Sequence, residues 1–487
     1  MKISDDYELL KQVMLHKAEF HLHNDTIDRL ENIEKELKDE VSKSFRKKSV
    51  TNQIIDAWAY ILQDSIYNLK CYDCRENAYI SKKSTWKEDI IDLNNQFVFG
   101  LDRLQKYFKE FTKFESVLYG VDGNYRDHVI HVFRVWLLGI SLLFSNIPNL
   151  DMKVEDLEFE HLIDNKPSVR KEEVFSMWAI IALCHDLGYP LEKAEKVNES
   201  VEKMYRHLGK ISVQKFSATF QSEHQFLNKF LLDFISSKLE VDKEKDTHLL
   251  KELEMKYDSY FDGSLGYEDI EKYYMTPKVY RTAIQAKYYT KFAKSLEYYS
   301  HGIISCTILL KSLFFFLESD FNFQERTKIS FEDARQFFIR REILRSIAAH
   351  TCPEVYHLKV NTLPFLLILC DELQEWGRPR FDDLHGGKET KSCFEVDVIE
   401  FKKEKIKFTA KYSSVSEPED LAKKIFRRWH EILRSAVYDT NRKLTLEIDL
   451  EINNNKYYFN YCDNFLKSNY KIDGVSNRFP IYKLGFE

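Results

Sequence analysis

The stretch ALCHDLGYP, residues 182–190, decides how this chain is read. It closes the segment VFSMWAIIALC (174–184), apolar for three helical turns, and it ends that helix at Gly188 and Pro190. At the junction stand His185 and Asp186, two side chains that bind protons and metals and are costly to bury. Either they cap the helix, or a charged group sits there for them to hold.

Working outward, the same pairing of an apolar helix with a metal-binding side chain recurs. In RDHVIHVFRVWLLG, His128 shares a helical face with His131, Val132 and Val135. In YYSHGIISCTILLKS, His301 starts an apolar helix, and in ILRSIAAHTCP, His350 ends one just before Pro353. In PFLLILCDELQEWG, Asp371 lies on the side of Pro364 and Leu367, beside Cys370. Each residue alone has an ordinary explanation. An isolated histidine on an apolar helix is usually a satisfied core residue, and His131 reads equally well as a packing neighbour of His128. Asp371 alone reads as an internal cap, or as the partner of Arg345 or Arg378. Jointly, however, burying so many imidazoles and carboxylates without a shared partner is costly. A divalent cation removes that cost for all of them, and imidazole with carboxylate is the donor set of Zn, Fe, Mn or Ni sites.

In this order and setting the residues resemble the HD-domain metal-dependent phosphohydrolases: a His, a downstream His-Asp pair, two further His and a final Asp. The resemblance covers roughly residues 116–380, and HDLGYP and SHGIISCTILL are its most similar segments. It implies a mainly α, HD-type domain with two divalent ions (Mn, Fe, Ni, Zn or Mg). His128, His185, Asp186 and Asp371 would hold one, and Asp186, His301 and His350 the other, with Asp186 as the catalytic bridge. A metal-activated water would then attack phosphorus. Lys193 and Lys196, just past the pair, and Arg378 and Arg380, just past Asp371, are the candidate substrate-orienting side chains, set against the ordinary reading of solvated charges. Gly188 is followed by Tyr189 rather than by the lysine of the cyclic-dinucleotide enzymes, so the subfamily stays open.

The rest of the chain supplies the organisation. With 44% hydrophobic and 14% aromatic residues, and only 14 Gly and 9 Pro in 487, it has the material for a large, mostly helical core. Residues 1–115 read as an N-terminal helical region, with Ile54, Ala57, Trp58, Ile61 and Leu62 at helical spacing. Residues 116–390 read as the metal-binding domain, carrying a polar, helix-like insertion at about 195–295 in which Phe226, Phe230, Leu231 and Phe234 repeat with the same period. Past the loop WGRPRFDDLHGGKETKS the period changes to two: Phe394, Val396, Val398; Ile406, Phe408, Ala410; Leu444 to Ile452. With a helix near 418–436 and a turn at Asn453-Asn454-Asn455, residues 391–487 predict a small ββαββ subdomain.

Composition also narrows function. The eight cysteines do not read as a disulfide framework: Cys184, Cys352 and Cys370 sit in apolar surroundings, as small buried hydrophobes of a reducing compartment do, and Cys71-x-x-Cys74 is a half zinc-ribbon pattern that no second CxxC answers. The charged start MKISDDYELLK lacks an apolar signal core, and VWLLGISLLF (135–144) is too short to span a bilayer, so the expectation is a cytoplasmic protein without a membrane. A net charge of −6 favours a nucleotide, cyclic nucleotide or other small phosphodiester as substrate over polymeric nucleic acid. The basic face Lys423, Lys424, Arg427, Arg428 and Arg434 keeps a nuclease of single strands as an alternative. A degenerate fold that senses or scaffolds a nucleotide or partner protein is another. Fold-level analogy adds a role in a bacterial defence system.

Overall fold

The structure, a computed structural model, describes residues 3–38, 48–80, 100–121, 127–144, 169, 171–209, 222–242, 279–317, 331–352, 362–376, 394–402, 405–413, 415–436, 445–462, 467–472 and 475–478. Arg378, Arg380 and the middle of the expected insertion lie outside these residues, as does the side chain of Arg434.

At the centre is the helix that ends in the opening motif. The N-terminal region supplies α1 (Asp6–Leu15), α2 (Asn24–Lys38), α3 (Lys48–Ile80) and α4 (Leu101–Val121); then follow α5 (Val129–Phe144) and α6 (Lys171–Cys184). From Glu173 to Cys184 every residue of α6 is buried, which fits a sequence apolar on all sides and makes it the core helix of the body. α3 and α5 pack on it; Trp58 of α3 stacks on Phe108 of α4 at 4.1 Å and donates its indole N–H to the Leu183 carbonyl at 2.9 Å. The N-terminal region is thus continuous with the core of the body. Cys71 and Cys74 fall inside α3, a helix rather than a zinc-ribbon turn. Cys184, Cys306, Cys352 and Cys370 are free and buried.

α7 (Tyr189–Arg206) begins after a tight turn with Pro190 in its first turn, where proline's missing N–H costs nothing. Taken together, 171–206 contains an 18-residue window of mean hydropathy 1.3, long and apolar enough to cross a membrane, but 89% of that window is buried inside the protein. It is core, interrupted at 185–188 by the turn. Within the expected insertion, α8 (Ser222–Ser236) leads into β1 (Ser237–Asp242), which pairs antiparallel with β2 (Val279–Ile284) before α9 (Ala286–Glu297). That two-stranded sheet was not expected; its alternation is too short to stand out beside the helical stretches around it. α10 (His301–Ser312), α11 (Phe331–Ala349) and α12 (Leu363–Leu373) complete the body.

The period switch near 394 marks the change from helices to a sheet. β3 (Phe394–Lys402) and β4 (Lys405–Tyr412) form a hairpin, α13 (Pro418–Ala436) crosses over, and β5 (Thr445–Ile452) returns parallel to β4. β6 (Asn455–Cys462) follows through Asn453 and Asn454, both at positive φ (50° and 70°), the conformation a two-residue hairpin turn requires and Asn tolerates. The structure then adds β7 (Lys467–Ile472) and β8 (Val475–Arg478), giving a six-stranded sheet in sequence order rather than four strands. The alternation buries Ile406, Phe408, Ala410, Leu446, Ile448 and Leu450, and the residues between them carry a ladder of Lys–Glu pairs. α13 packs on this sheet through Phe426 and Trp429, while Arg428 on its other side bonds Glu372 of α12 at 2.7 Å.

Candidate metal centre

Five elements of the body end at one place. α5 brings His131, the α6–α7 turn His185 and Asp186, the start of α10 His301, the end of α11 His350, and α12 Asp371. Two glycines allow this convergence. A Cβ on Gly188 would lie 2.3 Å from the His301 carbonyl oxygen, and one on Gly302 would lie 2.6 Å from that of Ile347. Only at glycine can the turn and the α10 and α11 backbones close to these distances. Ser305 fastens the same contact, accepting the Gly188 N–H at 2.8 Å and bonding the His185 carbonyl at 2.7 Å.

Each imidazole is oriented in the same way. Nδ1 faces an acceptor: Gln374 Oε1 for His131, the Ala182 carbonyl (2.8 Å) for His185, Glu192 Oε2 (2.6 Å) for His301, and the Ile347 carbonyl (2.6 Å) for His350. Donation from Nδ1 assigns the proton there and turns the Nε2 lone pair inward, the arrangement that outer-shell acceptors impose on metal-binding histidines. The inward partners divide by carboxylate oxygen. Asp186 Oδ2 lies 3.4 Å from His185 Nε2 and 3.6 Å from His131 Nε2; Oδ1 lies 3.3 Å from His301 Nε2 and 3.8 Å from His350 Nε2. Asp371 Oδ1 is 2.9 Å from His131 Nε2 and 3.8 Å from His185 Nε2, and the two Nε2 of His301 and His350 are 3.1 Å apart. Donors bonded to one ion at about 2.1 Å are separated by about 3.0–3.4 Å in octahedral or tetrahedral geometry, so these spacings suit shared cations. Ligand atoms of His131, His185 and Asp371, and again of His185, Asp186 and His350, lie within 4.8 Å of one another.

The electrostatics describe a site short of positive charge. Burial alone would raise the carboxyls of Asp186 and Asp371, but the surrounding imidazoles, His185 first for Asp186 and His131 first for Asp371, hold both well below the usual range. Burial would lower His185, yet Asp186 and then Asp371 push it up to about 9. Despite that, His185 Nε2 is fully buried and meets no hydrogen-bond partner among the described residues. A buried, inward-facing ring nitrogen without a partner, among two carboxylates and three more imidazoles, is what a cation ligand looks like, and the residues fit a divalent ion.

His128, expected as a ligand, is placed differently from the other five. It precedes α5 at its first turn, where its backbone N–H bonds Glu115 Oε1 at 2.7 Å, Nδ1 lies 3.6 Å from the same oxygen, and the ring packs tilted against Tyr189 with centroids 3.9 Å apart. Three residues on, His131 faces Asp371 and Gln374 and takes the corner expected of His128. His185, Asp186, His301, His350 and Asp371 come together as expected, and Asp371 pairs with histidines rather than with Arg345. Lys193, expected to orient substrate, instead bonds Glu192 and lies 4.8 Å over the Tyr189 ring, while Lys196 is exposed. Two residues carry weight that the sequence did not flag. Glu192 holds His301 by both backbone N–H (3.0 Å) and Nδ1, and Gln374 holds His131. Gln374 is itself tied to the Trp376 carbonyl (2.8 Å), which Arg134 also bonds (3.1 Å), and Arg134 forms a buried two-point pair with Asp6 of α1. Nothing in residue type separates Glu192 from the other acids of α7; only the fold turns it toward His301. No protein-family model, no curated protein and no solved structure matches this chain, so the reading of the centre stands on its geometry.

Proposed function

We propose that this protein is a metal-dependent phosphohydrolase acting on a phosphoester bond of a nucleotide, cyclic nucleotide or other small phosphodiester. The observation that carries the reading is Asp186, whose two oxygens each face a separate pair of Nε2 atoms. A carboxylate so placed suits two ions at once: His131, His185 and Asp371 with Oδ2 for one, His301 and His350 with Oδ1 for the other. When bound, divalent ions supply a water deprotonated near neutral pH and neutralise charge on phosphoryl oxygens. The chain's part is to hold donors rigid: Ala182, Ile347, Glu192 and Gln374 keep the imidazole protons on Nδ1. Tyr189 and His128 pack against each other beside the centre, and His128 is close enough to help hold Asp186 ionised. Lys193 acts as a positioning residue through Glu192 rather than on substrate. The resemblance to HD-domain phosphohydrolases points the same way.

Elemental analysis of the purified protein, with a panel of nucleotides, cyclic nucleotides and single-stranded DNA and RNA, tests the reading. We expect close to two ions per chain and release of phosphate or nucleotide from a small member of the panel. Asp186→Asn should keep the melting temperature, lose at least one ion and lower turnover by several orders of magnitude. Metal binding without hydrolysis of any panel member would favour a nucleotide sensor, and the absence of bound metal after loading with Mn, Fe, Ni or Zn would sink the proposal.

A further inference from the structure

Arg345 lies on α11, five residues before His350 and so about 140° away around the helix, on the side facing α9. It is 3% exposed. Its guanidinium stacks 4.3 Å above the ring of Tyr288, and the ammonium of Lys291 stands 5.9 Å from the same ring. The ring occupies one face of the guanidinium but offers nothing to the donors in its plane. Nη1 and Nη2 are both buried, and neither meets an acceptor among the described residues. The carboxylates nearest in sequence and expectation are engaged elsewhere: Glu342 lies 3.6 Å from Arg341, and Asp371 is held by His131 and His185.

Such an arrangement is incomplete as it stands. A guanidinium cannot shed its proton, so burial cannot neutralise it, and an uncompensated buried charge is far more costly than a lost neutral hydrogen bond. An anion offsets that charge, and the parallel Nη1 and Nη2 donors match two oxygens of one oxyanion, the fork by which a guanidinium takes a phosphoryl group. We propose that Arg345, Tyr288 and Lys291 form a second anion site, which takes the phosphoryl group of a small molecule or inorganic phosphate and is separate from the metal centre. The site rests on Arg345 alone among the residues of α11 and holds whether or not the metal centre hydrolyses anything.

The test is a melting titration of the full chain in excess EDTA, so that phosphate cannot bind through metal, with inorganic phosphate and adenosine monophosphate in separate arms against chloride at matched ionic strength. Wild type should gain several degrees, and the arm that saturates at lower concentration identifies the source. His185→Ala should keep the gain, whereas Arg345→Met, similar in length and uncharged, should fold and lose it. Arg345→Lys, which keeps the charge without the paired donors, should need at least tenfold more ligand for half-saturation. An equal gain in Arg345→Met, or no gain in wild type in either arm, overturns the proposal. Should Arg345→Met fail to fold, an unchanged half-saturation in Arg345→Lys overturns it instead.

Discussion

Glu192→Gln is the sharpest perturbation of the metal centre, because it alters no ligand. The Glu192 carboxylate accepts two bonds from His301, at 2.6 and 3.0 Å, and a third from Lys193. Burial would raise its carboxyl, but His301 and then Lys193 bring it down to about 2 from 4.5. A difference of about 2.5 units at 1.36 kcal/mol each sets a ceiling of about 3 kcal/mol on what the ionised form gains from its partners. The sign follows from the lowering: this stability is present above pH 4.5 and lost as pH falls through about 2. Glutamine keeps one carbonyl acceptor for His301 and loses the charge. The imidazole then becomes a weaker, less firmly oriented donor, and loss of an outer-shell partner of this kind lowers metal affinity about 10- to 100-fold. The loss should fall on one ion, since His131 and His185 are oriented by Gln374 and Ala182 instead. Calorimetric titration of chelator-stripped protein with Mn or Zn resolves the two sites, and the melting temperature of the stripped variant reads the stability cost separately. Two ions bound with wild-type affinity by Glu192→Gln would refute the assignment of His301 as a ligand held by Glu192.

Three further outcomes are expected. His131→Ala should lose an ion by elemental analysis, whereas His128→Ala should keep both; the reverse result would restore His128 as the ligand. Asp64 receives bonds from Thr26 (2.6 Å) and the His23 backbone (2.9 Å), yet burial raises its carboxyl to about 6 from 3.8. Its contribution to stability is therefore full below pH 3.8 and lost as pH rises through about 6, a swing of at most about 3 kcal/mol, and Asp64→Asn should flatten the pH dependence of denaturant unfolding across that window. Gly188→Ala should destabilise by about 1–3 kcal/mol or more, because the added methyl meets backbone rather than a movable side chain; a melting temperature equal to wild type would contradict the close approach of α10.

Much of this protein was written in its sequence as period and punctuation. The unbroken apolar run 174–184 could only be a core helix, and Pro190 could only restart a helix after the turn. The alternation from Phe394 and the Asn453-Asn454 turn announced strands because side-chain direction there is set locally by the backbone. His185, Asp186, His301, His350 and Asp371 stood out for a similar local reason: polar groups at the ends of apolar helices need a partner. What the sequence could not rank was one histidine against another on the same helix. His128 and His131 share a face, and the choice between them depends on where α12 and Tyr189 lie across the core, which is tertiary packing. The acceptors that aim the imidazoles, Glu192 and Gln374, are ordinary residues until the fold brings them over long sequence separations to a particular ring nitrogen. That Nη1 and Nη2 of Arg345 meet no acceptor among the described residues is likewise a property of the packed interior, because a missing partner has no signature in the order of residues.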